Sequence, residues 1–404
     1  LIIFGIICRK DRLLQDGGKR MLSNPFSPIF GGKPGVFFGR ERILSLFDHA
    51  MIDAGSDDRA IFITGTRGSG KTALLEQLSI RATAGKRKVI DLGPENTISQ
   101  IINVLAGYDE VTKTVNPQAN VSVLGVGGSI SGASVSKTRH IGRDDLQPVL
   151  LEACSKLKKG LLVTIDEIQK VPIEDVSAIC NAFQMASRKG YDIMLAVAGL
   201  PYSYSEVIRH EGCTYLRRAT HEELGLFTWD EAADSFAGIF SEIKGLTVSS
   251  AIIEKLNRAC FGHPYIMQLL GYHLILHANE HLSGKTHRVT DDEAQVAIAN
   301  ALFAYEQRAL KPLLDELPRG ERTYLEKMSE CLDPDRLAET GAIARELGVS
   351  SNKLSRSRAY LIDHGIIASP EHGKVMFCIP YLADYVKKEE HVSDAIAVAR
   401  QRRV

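Results

Sequence analysis

Short apolar runs alternate with amphipathic stretches between residues 60 and 222, and this pattern predicts the core of the fold. The apolar runs are AIFITG, KVIDL, GLLVTID, YDIMLAVAG and TYLRR. Short apolar runs of this kind are typical of buried strands. Helix-like stretches such as TALLEQLSIRATAG and VSAICNAFQMASRKG separate them. Strands that alternate with helices favour a mostly parallel sheet covered on both faces, which is an α/β fold.

The rest of the chain divides into segments with other patterns. The first twenty residues include LIIFGIIC, which is too short to span a bilayer, and they are expected to be a disordered extension or the product of an upstream start, with a membrane anchor as the alternative interpretation. Residues 120–137 are Gly/Ser-rich and alternating, which predicts a β-hairpin insertion. Helical periodicity dominates from residue 224 to about residue 316. The predicted segments are an extension at 1–20, a core at 21–222, a helical lid at 223–317, a winged helix at 318–388 and a tail at 389–404.

Composition and charge indicate an ordinary globular protein. The chain has 404 residues, which suits two or three domains, with 44% hydrophobic and 24% charged residues. Lys+Arg and Asp+Glu both number 49, so the overall charge does not attract nucleic acid or membranes. The seven cysteines form no CxxC pair or Cys/His cluster. Reduced thiols, no structural zinc and a cytoplasmic location are therefore expected.

A glycine-rich turn after the first apolar run carries the most specific motif of the chain. Residues 65–72 fit G-x-x-x-x-G-K-[ST] at every fixed position, between a predicted strand and a predicted helix. Glycines let backbone N–H groups turn towards phosphates, and the helix N-terminus adds positive dipole. Lys71 is expected to reach the β- and γ-phosphates of ATP, and the Thr72 hydroxyl to bind Mg²⁺. The predicted cofactor-binding residues of this turn are Gly65, Thr66, Arg67, Gly68, Ser69, Gly70, Lys71 and Thr72.

An acidic pair ends another apolar run, in LLVTIDEIQK. Asp166 is expected to hold the hydrated Mg²⁺ at the carboxyl end of a buried strand, where ligands of such sheets collect. Glu167 is placed to polarise an attacking water, so hydrolysis is predicted as well as binding. Acids also suit the first turn of a following helix, which is the alternative interpretation. The predicted catalytic residues are Lys71, Asp166 and Glu167.

Five segments together resemble the AAA+/STAND group of P-loop ATPases, near which the archaeal-type and origin-recognition-like ATPases stand. The segments are NPFSPIFGGKPGVFFGRE, IDEIQ, AGLP, GHPYIMQLLGYHL and SRSRAYLIDHGII, and they span roughly residues 23–386. The chain looks most like bacterial AAA family ATP-binding proteins that end in a winged helix. This resemblance implies a P-loop core, a helical lid and ATP with Mg²⁺ as cofactors.

The resemblance also implies roles for residues of the lead-in and of the lid. Phe38, Gly39 and Arg40 would lie near the adenine and the ribose. Pro264 would pack against the base, with His263 beside the phosphates or the ribose. From the residues alone, Arg40 could simply flank a helix N-terminus, and GHP could be an ordinary helix start, because proline is favoured in a first turn.

Two further features concern the end of the core. In AVAGLP, where the resemblance places a sensor strand, Ala198 and Gly199 stand where many AAA+ members carry a polar residue. Arg217 and Arg218 follow the last predicted strand and are candidates for an arginine finger or an inter-subunit contact. A solvated pair at a strand end is the alternative, since most arginines are exposed.

The segment GAIARELGVSSNKLSRSRAYLIDHGIIASPEHGKVMFCIP predicts a helix–turn–helix followed by a wing. Gly348 ends the first helix and Ser350 or Ser351 caps the second. In a DNA-binding helix–turn–helix the second helix enters the major groove, although acidic residues here offset the cations and winged helices also dock proteins. The candidate DNA contacts are Lys353, Arg356 and Arg358.

The sequence therefore predicts an α/β P-loop NTPase, AAA+/STAND-like, with a helical lid and a C-terminal winged helix. The expected activity is binding of ATP with Mg²⁺ and slow hydrolysis that serves as a conformational switch. Two other functions stay open. One is an ATP-gated DNA-binding initiator or regulator, and the other is a signalling scaffold that forms nucleotide-dependent homo-oligomers and docks a partner protein.

Overall fold

The computed structural model describes residues 21–29, 36–37, 39–106 and 142–389. The extension at 1–20, the hairpin predicted at 120–137, Phe38 and the tail beyond residue 389 lie outside these ranges. Within them, no helix is long and apolar enough to cross a membrane.

A sheet of five parallel strands forms the centre of the core, in the order β2-β3-β4-β1-β5. The strands are β1 (Ala60–Gly65), β2 (Lys88–Leu92), β3 (Leu161–Ile165), β4 (Ile193–Gly199) and β5 (Thr220–Leu224). The three central strands β3, β4 and β1 are buried along their whole length. Such strands need cover on both faces, which accounts for their unbroken apolar character.

Helices cover both faces of this sheet. They are α1 (Glu41–Ile52), α2 (Lys71–Ala84), α3 (Thr97–Leu105), α4 (Arg143–Lys156), α5 (Ile173–Arg188), α6 (Pro201–Arg209) and α7 (Thr214–Arg217). Successive side chains of β1 enter different clusters, since Phe62 packs with Val163 and Phe183, whereas Ile61 and Ile63 join another cluster. This alternation follows from the two-residue period of a strand.

The run TYLRR does not form the last core strand, so that prediction was wrong. Thr214–Arg217 form helix α7, in which Leu216 is buried, and the strand is the following THEEL. Strand β5 lies at the edge of the sheet and alternates buried and exposed residues, so its side chains are too polar to signal a strand. The predicted boundary at residue 222 therefore falls inside β5.

A helical region follows the sheet at the place of the predicted lid, and it is called the lid below. Its elements are α8 (Trp229–Glu242), β6 (Leu246–Thr247), α9 (Ser250–Cys260), α10 (Pro264–His281), β7 (His287–Arg288), α11 (Asp291–Tyr305), a π-helical turn (Glu306–Leu310) and α12 (Lys311–Glu316). Helix α10 is the most buried of these, and residues 21–29 run along it. Phe26 packs where Gly271 has no side chain, since a Cβ there would stand 2.3 Å from the Phe26 ring.

The C-terminal unit (residues 319–389) combines helices with a small antiparallel sheet in the order β8-β10-β9. Its named elements are α13 (Arg319–Glu330), β8 (Leu337–Glu339), α14 (Thr340–Glu346), α15 (Ser351–Asp363), β9 (Ile367–Ala368) and β10 (Lys374–Phe377). In α15, Leu361 is fully buried and Leu354 partly buried, as their heptad spacing predicts. The lid and the C-terminal unit share one continuous apolar cluster.

Candidate nucleotide-binding site

The P-loop joins β1 to α2, and its backbone conformation depends on glycines. Gly68 and Gly70 have φ angles of 79° and 94°, a region that side chains with a Cβ rarely adopt. Gly70 is the N-cap of α2 and supplies no side-chain hydrogen bond to the first turn. The N–H groups at the start of α2 are therefore available to an anion.

Lys71 lies inside this loop. Only 6% of the residue is exposed, and its Nζ donates hydrogen bonds to the carbonyl oxygens of Gly65 and Thr66, each at 2.9 Å. Burial lowers the pKa of Lys71, while the carboxylates of Glu167 and Asp166 oppose that shift. The ammonium group is thus held at the centre of the loop, close to acidic side chains and poorly solvated.

The donors of the loop suit a phosphate group. The Ser69 hydroxyl is buried without a hydrogen-bond partner, which is an unfavourable state for a polar group. It lies in the same turn as the Lys71 ammonium and the free end of α2. Together these groups offer hydrogen-bond donors and positive charge to one anionic ligand.

Thr72 and Asp166 meet, although 94 residues separate them in the sequence. The Thr72 hydroxyl donates a hydrogen bond to Asp166 Oδ2 over 2.6 Å, while Asp166 Oδ1 accepts one from the backbone N–H of Glu167 over 2.9 Å. Both side chains present oxygen atoms, the ligand type that Mg²⁺ prefers. These two residues are accordingly the ones that fit a magnesium ion beside the P-loop.

The carboxylate of Glu167 is held by its own loop. Glu167 has a φ of 54°, and its Oε2 accepts a hydrogen bond from Gln169 Nε2 at 2.8 Å and lies 3.3 Å from Lys170 Nζ. Gln169 Oε1 in turn accepts from the backbone N–H of Leu200, just after β4. Gln169 therefore connects the acid to the end of the neighbouring strand, and its role was missed in the sequence interpretation.

Gly199 makes this connection possible. A Cβ at Gly199 would stand 2.8 Å from Gln169 Oε1 and 2.4 Å from Ser203 Oγ. The amide of Gln169 thus occupies space beside the end of β4 that a side chain at residue 199 would need. The unusual glycine was the one signal in the sequence that pointed here.

His263 brings the lid to the P-loop. It is 1% exposed, and its Nε2–H donates to the backbone oxygen of Arg67 at 3.2 Å. Its ring fills the space that a side chain at Gly68 would need, and Pro264 lies 4.0 Å from the Cβ position of Gly70. Burial lowers the pKa of His263 to about 4, so the imidazole is neutral near pH 7.

Gly39 and Arg40 precede α1 and pack against the loop between β5 and α8. The Arg40 guanidinium donates to the backbone oxygen of Gly225 at 2.6 Å and lies 4.5 Å from the centre of the Phe227 ring. Gly39 has a φ of 55°, and a Cβ there would stand 2.9 Å from the same ring. Both residues thus pack against Phe227. Their contact with adenine or ribose stays a prediction.

Arg217 and Arg218 lie away from the P-loop. All strands of the central sheet run parallel, so the P-loop and the acids share the carboxyl edge of the sheet, whereas these arginines precede β5 and stand at its amino edge. Arg217 donates to the backbone oxygens of Ile208 at 2.9 Å and His210 at 3.3 Å. Their predicted position after the last strand was wrong, and an arginine finger acting on the chain's own site does not fit. Contact with a second subunit stays a prediction.

The C-terminal unit also touches the P-loop, a contact that the sequence did not reveal. A Cβ at Gly365 would stand 2.9 Å from Thr66 Cγ2, and the His364 ring lies 4.7 Å from that of Tyr202, on α6. At the end of the lid, Glu316 Oε2 accepts a hydrogen bond from Arg67 Nη2 over 2.6 Å. The lid and the C-terminal unit therefore both contact the P-loop.

The candidate DNA contacts lie on α15. Lys353 and Arg356 are exposed, and Arg358 is half-buried. A cavity of about 350 Å³ opens between the first turns of α15 and the β9–β10 turn, and its lining includes Ser355, Arg358 and His372. This end of the unit thus presents basic and hydroxyl side chains together.

Comparison with known proteins gives a family match for part of the chain and several similar solved structures. The family model described as "Domain of unknown function (DUF8462)" matches residues 307–386. No curated protein sequence matches the chain. The ORC2 protein of Aeropyrum pernix in its ADPNP-ADP complexes is 14% identical, with 88% of this chain and 93% of that chain covered and a TM-score of 0.57.

Two other structures are similar over comparable lengths. Cdc6p from Pyrobaculum aerophilum is 14% identical, with 91% of this chain and 98% of that chain covered and a TM-score of 0.48. The Aeropyrum pernix ORC1 protein in complex with DNA is 16% identical, with 91% and 96% covered and a TM-score of 0.45. At such low identity the likeness concerns the fold. The parallel sheet, the P-loop and the likeness to ORC2 show that the chain has the fold of an origin-recognition-like AAA+ P-loop NTPase.

Proposed function

We propose that the chain binds ATP with Mg²⁺ and hydrolyses it slowly, as a conformational switch. The observation that carries this proposal is the 2.6 Å contact between Thr72 and Asp166, directly beside the buried ammonium of Lys71. A hydroxyl, a carboxylate and a lysine in this arrangement match the needs of a nucleotide phosphate and its metal ion.

Each residue has a distinct part in the proposed reaction. Lys71 and the N–H groups of the P-loop bind the β- and γ-phosphates and lower the energy of their negative charge as the bond breaks. Thr72 and Asp166 hold Mg²⁺, which neutralises phosphate charge when it is bound. Glu167 orients the attacking water and accepts its proton.

Slow turnover is supported by the contacts of Glu167. Its carboxylate is engaged by Gln169 at 2.8 Å and by Lys170 at 3.3 Å, so it must leave these partners before it can orient a water. A hydrogen bond of this kind contributes about 1 kcal/mol. This is enough to make the orientation of Glu167 that hydrolysis needs a minor population. The resting state proposed here is therefore competent to bind ATP but poor at cleaving it.

The contacts of the P-loop with the lid and with the C-terminal unit support the proposed switch. His263 of the lid donates to Arg67 O, and Gly365 of the C-terminal unit packs on Thr66. A phosphate that reorganises the loop changes the partners of both contacts. Nucleotide binding would thus alter how the lid and the C-terminal unit are held against the core.

The Asp166→Asn variant tests the metal part of this proposal. Calorimetric titration with ATP is made with and without Mg²⁺ for the parent and the variant. The parent is expected to bind ATP more tightly with Mg²⁺, and the variant to lose most of that difference, because an amide is a weaker magnesium ligand than a carboxylate. An equal Mg²⁺ effect in both proteins would contradict the assigned site.

DNA binding through the C-terminal unit is a second candidate function, and the unit would then act as a winged helix. It is supported by the exposed Lys353 and Arg356 on α15 and by the cavity beside Arg358. Positively charged and hydroxyl side chains near the start of α15 suit contacts with the phosphates of the DNA backbone. In this proposal ATP sets the affinity for DNA through the contact between Gly365 and Thr66.

A further inference from the structure

The end of helix α10 that is remote from the P-loop carries a group of metal-binding side chains. Helix α10 starts at Pro264, beside the P-loop, and ends with the sequence HANEH, which places His277, Glu280 and His281 on its last turn. Their spacing of three and four residues brings them to one face of the helix. One ligand atom from each of the three lies within 4.8 Å of the other two.

The hydrogen bonds of this turn leave imidazole nitrogen atoms free to bind a metal. His281 Nδ1 is 3.0 Å from the backbone oxygen of His277, and because a carbonyl only accepts, Nδ1 carries the proton. The other nitrogen, Nε2, is then unprotonated in the neutral ring and can donate its lone pair to a cation. His277 Nδ1 already lies 3.0 Å from Glu280 Oε2, and the two imidazole rings are 4.5 Å apart.

A neighbouring carboxylate supports the group from α11. Glu293 Oε1 lies 3.7 Å from His281 Nδ1 and 3.0 Å from His287 Nε2. Glu293 is itself fixed, since its side chain accepts a hydrogen bond from the backbone N–H of Thr290 at 2.7 Å and is about nine-tenths buried. At 3.7 Å the Glu293 carboxylate makes no hydrogen bond to His281, but its negative charge favours a cation bound by that ring.

We propose that His277, Glu280 and His281 bind a divalent transition-metal ion of the zinc class, and that the nearby negative charge of Glu293 strengthens this binding. Two imidazoles and a carboxylate suit Zn²⁺, whereas Mg²⁺ and Ca²⁺ prefer oxygen ligands throughout. Bonds of about 2.0–2.2 Å to such an ion require the three ligand atoms to close in slightly. The side chains of Glu280 and His281 are 61% and 53% exposed, so they can turn without displacing packed neighbours.

The site would control a structural contact. Asn279, on the same turn, accepts a hydrogen bond from the backbone N–H of Leu22 at 2.6 Å and donates one to its carbonyl oxygen at 3.1 Å. These bonds fasten the start of the lead-in segment to the lid. A metal ion that joins three side chains of this turn stabilises it against fraying, and so stabilises the attachment of the lead-in.

The experiment uses the full chain, freed of metal with a chelator, and Zn²⁺ alone as the probe. Calorimetry is expected to give one zinc ion per chain bound at micromolar or tighter affinity, and thermal unfolding should shift upwards with zinc and return with chelator. His281→Ala should abolish both effects. His49→Ala, which removes an exposed imidazole from α1, should leave both unchanged.

Glu293→Gln tests the effect of this negative charge without removing a ligand. Glutamine is also accepted in the capping box that Thr290 and Glu293 form, so the start of α11 is preserved. The variant should weaken zinc binding by roughly tenfold, the size of the Coulomb attraction that a water-exposed site loses with this charge. Bound Co²⁺ gives visible absorption that reports its ligands, and this spectrum should change in His281→Ala but not in His49→Ala. Absence of micromolar zinc binding by the parent, or parent-like binding by His281→Ala, would overturn the proposal.

Discussion

Gly365 lies directly against Thr66, so that a Cβ added to Gly365 would stand only 2.9 Å from the Thr66 methyl group. Gly365 follows α15, the helix with the candidate DNA contacts, and Thr66 belongs to the P-loop. The P-loop and the C-terminal unit are therefore in van der Waals contact at a position where an added Cβ would be crowded. This contact is the most direct physical route between the two candidate functions.

Gly365→Ala should change nucleotide binding through this contact. Gly365 has a φ of 66°, so alanine costs about 1 kcal/mol of backbone strain and in addition meets Thr66 and Pro201. Gly348→Ala is the matched control, because Gly348 has a φ of 64° but no atom within 4 Å of its Cβ position. Both variants should unfold at lower denaturant concentration, and only Gly365→Ala should alter the ATP affinity measured by calorimetry. Equal ATP affinities in the two variants would show that the contact carries no coupling.

Glu167→Gln should separate binding from turnover. The amide cannot accept the proton of the attacking water, and loss of a general base lowers rates by ~10²–10⁴. ATP affinity should stay near that of the parent, because Thr72 and Asp166 are untouched. Glu152→Gln, an exposed change on α4, serves as the control, and phosphate release is the measurement. Parent-like hydrolysis by Glu167→Gln would assign the base to another residue.

The pH dependence of stability should report the burial of His263. Its pKa in the folded protein is lowered to about 4, below the unfolded value near 6.5, so the unfolded chain takes up a proton first as the pH falls. The stability contributed by the neutral ring is complete above about pH 6.5 and is lost as the pH falls towards 4. Between pH 7 and pH 5 the parent should lose about 2 kcal/mol more than His263→Gln, as measured by urea unfolding. Identical pH profiles would mean that the histidine is solvated.

The DNA proposal predicts a specific effect of salt. If Arg356 meets a backbone phosphate, Arg356→Ala should weaken binding to random duplex about equally for all sequences and lower the slope of log affinity against log salt by ~1. Fluorescence anisotropy across a salt series measures both quantities. Arg188→Ala removes an exposed arginine from the core helix α5 and should change neither. No duplex binding at low salt with ATP present would instead favour a protein partner.

The nucleotide site could be foreseen because its chemistry is encoded in contiguous segments. The P-loop motif identified Lys71 and Thr72 as site residues, and the position at the end of a buried strand identified Asp166. In a parallel sheet the carboxyl ends of the strands lie at one edge, so these residues were expected to meet. Strand β5 could not be foreseen, because it is an edge strand held by backbone pairing with β1 and has few apolar side chains. The greater apolar content of TYLRR belongs to one face of a short helix.

The contacts that would regulate the site were hidden for a different reason. Gln169 reaches Leu200, and Gly365 reaches Thr66, only after distant parts of the chain have packed together. A glutamine or a glycine has no periodicity that reveals such a partner. The position of Arg217 and Arg218 was predicted wrongly for a similar reason. The edge of the sheet at which they lie depends on which segment forms β5.

The central claim is that the P-loop binds nucleotide through Lys71, and calorimetric titration of ATP with Mg²⁺ tests it most directly. The parent is expected to bind one ATP per chain, and Lys71→Ala to show no measurable binding while its circular dichroism stays close to that of the parent. Lys189→Ala, which removes an exposed lysine from the end of α5, should bind ATP like the parent. Equal ATP affinity in the parent and in Lys71→Ala would contradict the account.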